Sequence, residues 1–167
     1  NPVLQQIGKK VIGIYPPVIP PHVNRKKQQE LLHQLPQKKF YIGYLGRLAS
    51  EKGIEYLLEA LPLLRKKLGD SFVLVLAGPR NTVGESNYQE RIAHLLQSYN
   101  DHVIQLGELA DPELGAFYSL LDVFVLPSIN NTEAFGMVQV EAMYCGTPVV
   151  ATDLPGVRVP IQQTGMG

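Results

Sequence analysis

The sequence has a single cysteine, Cys145, so no disulfide can close within the chain. That scarcity fits a reducing compartment. Neither sign of charge is in excess: 15 Lys and Arg stand against 15 Asp and Glu. A nucleic-acid partner would show as a basic surplus, so none is expected. The basic runs Arg25-Lys26-Lys27 and Arg65-Lys66-Lys67 read as solvated helix faces. No apolar run approaches the ~18 residues of a membrane span, and the opening residues do not read as a signal peptide. The histidines, His22, His33, His94 and His102, lack metal-ligand spacing. Also missing are an Asp-x-Asp pair, a G-x-G-x-x-G after the first strand of the sheet and a G-x-x-x-x-G-K-[ST] loop. Dinucleotide and P-loop NTPase chemistry are thereby disfavoured.

What is present is an alternation of short apolar runs with longer amphipathic ones. The chain has 167 residues, 45% hydrophobic and 18% charged, enough for one ordinary domain with a substantial core. Candidate strands are Lys10–Ile14, Phe40–Leu45, Phe72–Ala77, Val103–Leu106, Val123–Leu126 and Pro148–Ala151. Several lack period-two alternation, as strands buried on both faces do. Between them, Ile54, Leu57, Leu58, Leu61, Leu64 and Leu68 recur at helical spacing, with Pro62 a candidate kink or break. Further helices are predicted over about Tyr88–Tyr99, from Asp111-Pro112 through Leu121, and from about Phe135 to Cys145; Asp111 is the expected cap of the second of these. Asn24 is expected to cap a short polar helix ending by Leu35. The pattern predicts an α/β fold: a doubly wound, open parallel sheet with helices on both faces. Ligands of such sheets sit beyond the carboxyl ends of the strands. The Pro-rich stretch Tyr15–His22 reads as an interdomain linker. We therefore expect residues 1–23 to be a linker and strand that join a preceding domain, and 24–167 to be a ligand-binding domain cut short at its C-terminal side.

The segment Glu133–Ala151 carries the chemistry. A strand ends at Leu126-Pro127, a polar loop follows, and Glu133-Ala134-Phe135-Gly136 opens a helix. The first turn of a helix presents unpaired N–H groups and the positive end of its dipole, and Gly136 permits close approach. That is a site for phosphate or sugar oxygens. Glu141 stands eight residues after Glu133 and one turn after Met137. Two carboxylates flanking an anion site suit a ligand with hydroxyls at both ends and phosphate between.

Glu133-Ala134-Phe135-Gly136, Glu141-Ala142-Met143 and Gly146-Thr147-Pro148-Val149-Val150-Ala151 together resemble the signature of the retaining family 4 glycosyltransferases of GT-B fold. Gly46-Arg47 with Lys52-Gly53, Ala77-Gly78-Pro79, Leu106-Gly107 and Asp122–Ser128 extend the resemblance over about Phe40 to Gly156. It implies the C-terminal Rossmann-like domain of that fold, which binds the nucleoside-diphosphate sugar. By the same resemblance, Arg47 and Lys52 would hold the diphosphate and Glu133 the transferred sugar. The amides around Phe135, Gly136 and Met137 would line sugar and phosphate, Glu141 would take the ribose hydroxyls, and the backbone at Leu109 would meet the base. Arg47, Lys52 and Glu133 are the implied catalytic groups. No metal or other cofactor is expected, because two cations and a helix N-terminus can neutralise a departing diphosphate. The expected partners are the nucleotide-sugar donor and an acceptor bound mainly by the preceding domain, with any membrane contact outside this stretch. The expected location is the cytoplasm or the cytoplasmic face of a membrane. The sequence departs from the family after its last strand, where Val157-Arg158-Val159-Pro160 offers no acid. A non-catalytic nucleotide-binding module, or an epimerase or synthase on the same fold, remain the alternatives.

Overall fold

Strands apolar on both sides imply a sheet covered on both sides. The computed structural model describes residues 14–37, 39–79 and 85–167. In it β1 (Phe40–Leu45), β2 (Phe72–Ala77), β3 (Val103–Gly107), β4 (Val123–Leu126) and β5 (Val149–Ala151) form one parallel sheet in the order β3-β2-β1-β4-β5. The candidate strand Lys10–Ile14 lies outside the described residues except for Ile14, which has no regular structure. Among the described residues six α-helices accompany the sheet: α1 (Arg25–Leu32), α2 (Ile54–Leu68), α3 (Ser86–Ser98), α4 (Asp111–Leu120), α5 (Met137–Tyr144) and α6 (Arg158–Thr164).

Strand alternation divides the core in two. Ile42, Tyr44, Leu74 and Leu76 pack against Ile54, Leu57, Leu58 and Leu61 of α2 and Ile92 of α3. Tyr41, Val73, Val75 and Phe124 face the other way, onto Phe117 and Tyr118 of α4 and Ala142 and Met143 of α5. Every position of β2 is buried, the mark of a central strand under both layers. Each large aliphatic side chain so buried contributes about 1.5–3 kcal/mol.

Several local expectations need correction. Pro62 neither breaks nor divides α2, which runs through it; the buried Leu57, Leu58 and Leu61 around the exposed proline hold both halves on the sheet. Leu68 is 44% exposed rather than inward, as the whole last turn of α2 from Arg65 is exposed. Asp111 is the first residue of α4, not its cap: Ala110 occupies the cap position, and its N–H is satisfied by the Glu113 carboxylate at 2.9 Å. The buried residues of α4 are four in a row, Gly115 to Tyr118, since α1 and the backbone at His22-Val23 pack against it. A Cβ on Gly115 would lie 2.3 Å from the His22 carbonyl oxygen. Helix α6 was not expected from Val157–Pro160; Pro160 falls in its first turn, where a missing N–H costs nothing. Asn24 caps α1 as its sequence position suggests, accepting from the Lys26 and Lys27 N–H groups.

The strand order sets the site. The chain winds outward from β1 to β3, then returns to the other side of β1 with β4 and β5. Successive crossovers therefore diverge between β1 and β4. Open α/β sheets bind ligands in the crevice that opens at this point. The loops after β1 and β4 form its two walls.

Candidate active site

The loop after β1 is short and pinned. Residues Ser50–Lys52 form one 3₁₀ turn, and Gly53 closes it at φ 64° before α2 starts. A Cβ on Gly53 would sit 2.1 Å from the Pro127 carbonyl oxygen, so glycine is required for this loop to rest on the loop after β4. The Ile129 N–H donates to the Glu51 carbonyl at 3.1 Å and seals the same contact. The Ser50 N–H donates to the Glu85 carboxylate at 3.1 Å, tying in the segment ahead of α3.

That docking brings Lys52 to Glu133. Lys52 Nζ lies 2.8 Å from Glu133 Oε2, with side chains 23% and 15% exposed. Ser128, fully buried, adds its hydroxyl to the same oxygen at 3.3 Å. The Thr152 hydroxyl donates to the Ser128 carbonyl at 2.6 Å, so the loop after β5 braces the group. Arg47 is on the same loop as Lys52 but pairs elsewhere: its guanidinium is 2.8 Å from Glu51 Oε1 and largely exposed. The structure thus joins Lys52 and Glu133 directly and holds Arg47 in a separate ion pair.

Glu133 leads into the start of α5. Among the described residues no side chain caps this helix; Gly136, at φ 73°, occupies the cap position. Its first N–H groups are therefore available to an anion. The requirement for glycine comes from inside the protein: a Cβ at Gly136 would approach Leu126 Cδ2 to 2.5 Å and Gln139 Nε2 to 2.8 Å. Gln139 is fully buried and donates to the carbonyls of Phe135 at 2.7 Å and Val157 at 2.9 Å. It thus clamps the loop before α5 to the one before α6. The Phe135 ring stacks on Tyr15 with centroids 5.5 Å apart, and Met137 is half exposed at the helix start.

Glu141 sits one turn further along α5, away from the Lys52 ion pair. Its Oε2 accepts from the Tyr118 hydroxyl at 2.8 Å. Burial, and then the Glu141 charge, push the Tyr118 phenol far above its ordinary range, so it acts as a proton-bearing donor. Glu141 borders a cleft of ≈ 530 Å³ whose other walls include Pro20 to His22 and Asp111, Pro112 and Leu114. Leu109, in the loop entering α4, is partly buried against the core. A larger cleft of ≈ 660 Å³ runs along α3 between Leu48 and Gln105, and among the described residues its lining carries one ionisable group, Glu90.

Ser128, Thr152, Tyr118 and Gln139 escaped the sequence reading. Tyr118 and Gln139 lie within recognised helices, and a polar tip on a core-facing position was the available signal.

Comparison with known proteins supports the fold and identifies the family. The chain is 31% identical over 136 residues to the capsular polysaccharide biosynthesis glycosyltransferase CapM of Staphylococcus aureus, covering 80% of this chain and 33% of that one. It is 36% identical over 125 residues to the D-inositol 3-phosphate glycosyltransferase of Pseudarthrobacter chlorophenolicus, covering 74% and 29%. The chain therefore spans roughly a third of these relatives' length. Among solved structures, Anabaena HepE in complex with UDP and glucose superposes with a TM-score of 0.68 and 30% identity, over 82% of this chain and 36% of that one. The model of the family described as glycosyl transferases group 1 matches residues 25–167, and the chain belongs to that family.

Proposed function

We propose that this chain is the donor-binding part of a retaining glycosyltransferase, which moves a hexose from a nucleoside-diphosphate sugar to an acceptor hydroxyl. The observation that carries the reading is the Lys52–Glu133 ion pair, set at the divergence of β1 and β4 beside the uncapped start of α5. The diphosphate takes Lys52 from Glu133 and engages Arg47 and the amides of Phe135, Gly136 and Met137. Glu133, released, accepts from the sugar hydroxyls. Glu141 receives the ribose diol, and the backbone at Leu109 meets the base. The bond from the anomeric carbon to the diphosphate breaks as charge collects on the leaving phosphate. The acceptor oxygen bonds to that carbon from the same face and passes its proton to the leaving phosphate oxygen. Preorganised cations and N–H groups aimed at the leaving oxygens supply the stabilisation, with no metal required. HepE was crystallised with UDP and with UDP-glucose, which supports a uridine nucleotide here. The acceptor, and any membrane contact, belong to sequence outside these 167 residues, in a protein of the cytoplasm or the cytoplasmic membrane face.

Residues 1–167 alone then bind donor without turning it over, since joint positioning of two substrates is worth about 7–11 kcal/mol. Titration calorimetry with UDP and UMP tests the binding: UDP is expected to bind more tightly, and equal affinity would remove the diphosphate assignment. Proton NMR of the product made by the full-length enzyme tests retention. A product whose anomeric configuration is inverted relative to the donor would overturn it.

A further inference from the structure

Tyr118 is an unusual partner for an ionisable side chain. It is 0% exposed, its ring makes an edge contact with Phe124 at 5.5 Å and a tilted one with Phe117 at 5.6 Å, and it lies on a helix covered from both sides. The Thr147 hydroxyl donates to the Tyr118 carbonyl at 2.6 Å and fixes the backbone there too. A phenol held this way has little rotational freedom. Its hydroxyl donates to Glu141 Oε2, and among the described residues no other hydrogen-bond donor reaches that carboxylate. Oε1 is therefore left with both lone pairs for a ligand.

We infer that Tyr118 is a positioning residue for the donor site. Its hydroxyl holds one oxygen of Glu141 inside the fold, so that the other faces the cleft ready to accept both hydroxyls of a ribose. This rests on the reading that Glu141 binds ribose. Without the phenol, the glutamate must order its own side chain on binding, and that entropy is lost from the affinity. A neutral, buried donor suits this role because the incoming diphosphate cannot draw it away, as it can a lysine.

The test uses UDP, GDP and their 2′,3′-dideoxy forms in titration calorimetry. The wild-type protein is expected to prefer the ribose forms by about tenfold or more, as expected for hydrogen bonds to a charged acceptor. Tyr118→Phe should cut that preference to about two- to threefold while leaving affinity for the dideoxy forms unchanged. In a Glu141→Gln background the same substitution should change nothing further. A purely structural tyrosine would weaken all nucleotides alike. Tyr118→Met, which fills the space without a hydroxyl, carries the same expectation should the phenylalanine variant fold poorly. A folded variant that keeps the wild-type preference overturns the inference alone. A wild-type protein with no preference for ribose removes the Glu141 assignment, and this inference with it.

Discussion

The two glutamates of the site are held in opposite ways. Glu133 lies on a loop and is neutralised by Lys52, a flexible cation from a second loop. Glu141 lies on a helix and is held by Tyr118, a neutral donor locked in the core. A charge partner on a loop can be exchanged for a phosphate; a buried phenol cannot. On the proposed function the loop pair serves the step in which charge moves and the core-anchored pair serves recognition.

The sharpest way to break this comparison is to truncate each glutamate in the full-length enzyme. Glu133→Ala is expected to lower kcat by roughly two to three decades, the cost of removing one positioned electrostatic group. Glu141→Ala is expected to raise the donor KM by about tenfold or more with a modest change in kcat, because ribose hydroxyls do not change during transfer. Steady-state kinetics with the reverse pattern would mean that the two roles are exchanged. Circular dichroism should show unchanged helix content in both variants.

A smaller effect is expected from Gly53→Ala, which perturbs the Lys52 side alone. The side chain would meet the Pro127 carbonyl in a left-handed backbone, at a cost of about 1–3 kcal/mol. Thermal unfolding should register that loss. UDP should bind more weakly, while the preference for ribose over dideoxyribose is preserved. Loss of that preference would show that the two glutamates do not work independently. The smallest effect is expected from chelation: on the proposed function Lys52, Arg47 and the start of α5 supply the charge, so UDP affinity measured with and without EDTA should agree. Binding that disappears with EDTA would transfer the phosphate side of the comparison to a metal.

The parallel sheet, its five described strands and most of its helices were legible from residue order, because burial on both faces leaves uninterrupted apolar runs such as Phe72–Ala77 and helical stripes such as Ile54 to Leu61. Gly136 was legible as a special position, but its reason was not. Besides its left-handed backbone, a side chain there would crowd Leu126, and that contact exists only after β4 and α5 pack together. The extent of α4 burial was likewise hidden, since the backbone at His22-Val23 that packs on Gly115 is remote from it in sequence.

By itself, then, the sequence determined the alternation of strand and helix, the places where the chain must turn, and the pair of glutamates eight residues apart. These depend on neighbours within a few residues, where side-chain periodicity and backbone preference act directly. Only the tertiary structure decided that β1 lies between β2 and β4, and so that Lys52 meets Glu133 across 81 positions of chain. The partner of Glu141 was decided there as well: Tyr118 is 23 positions earlier, on another helix. Such pairings follow from how layers stack over a shared core, a free-energy balance to which no local segment holds the terms.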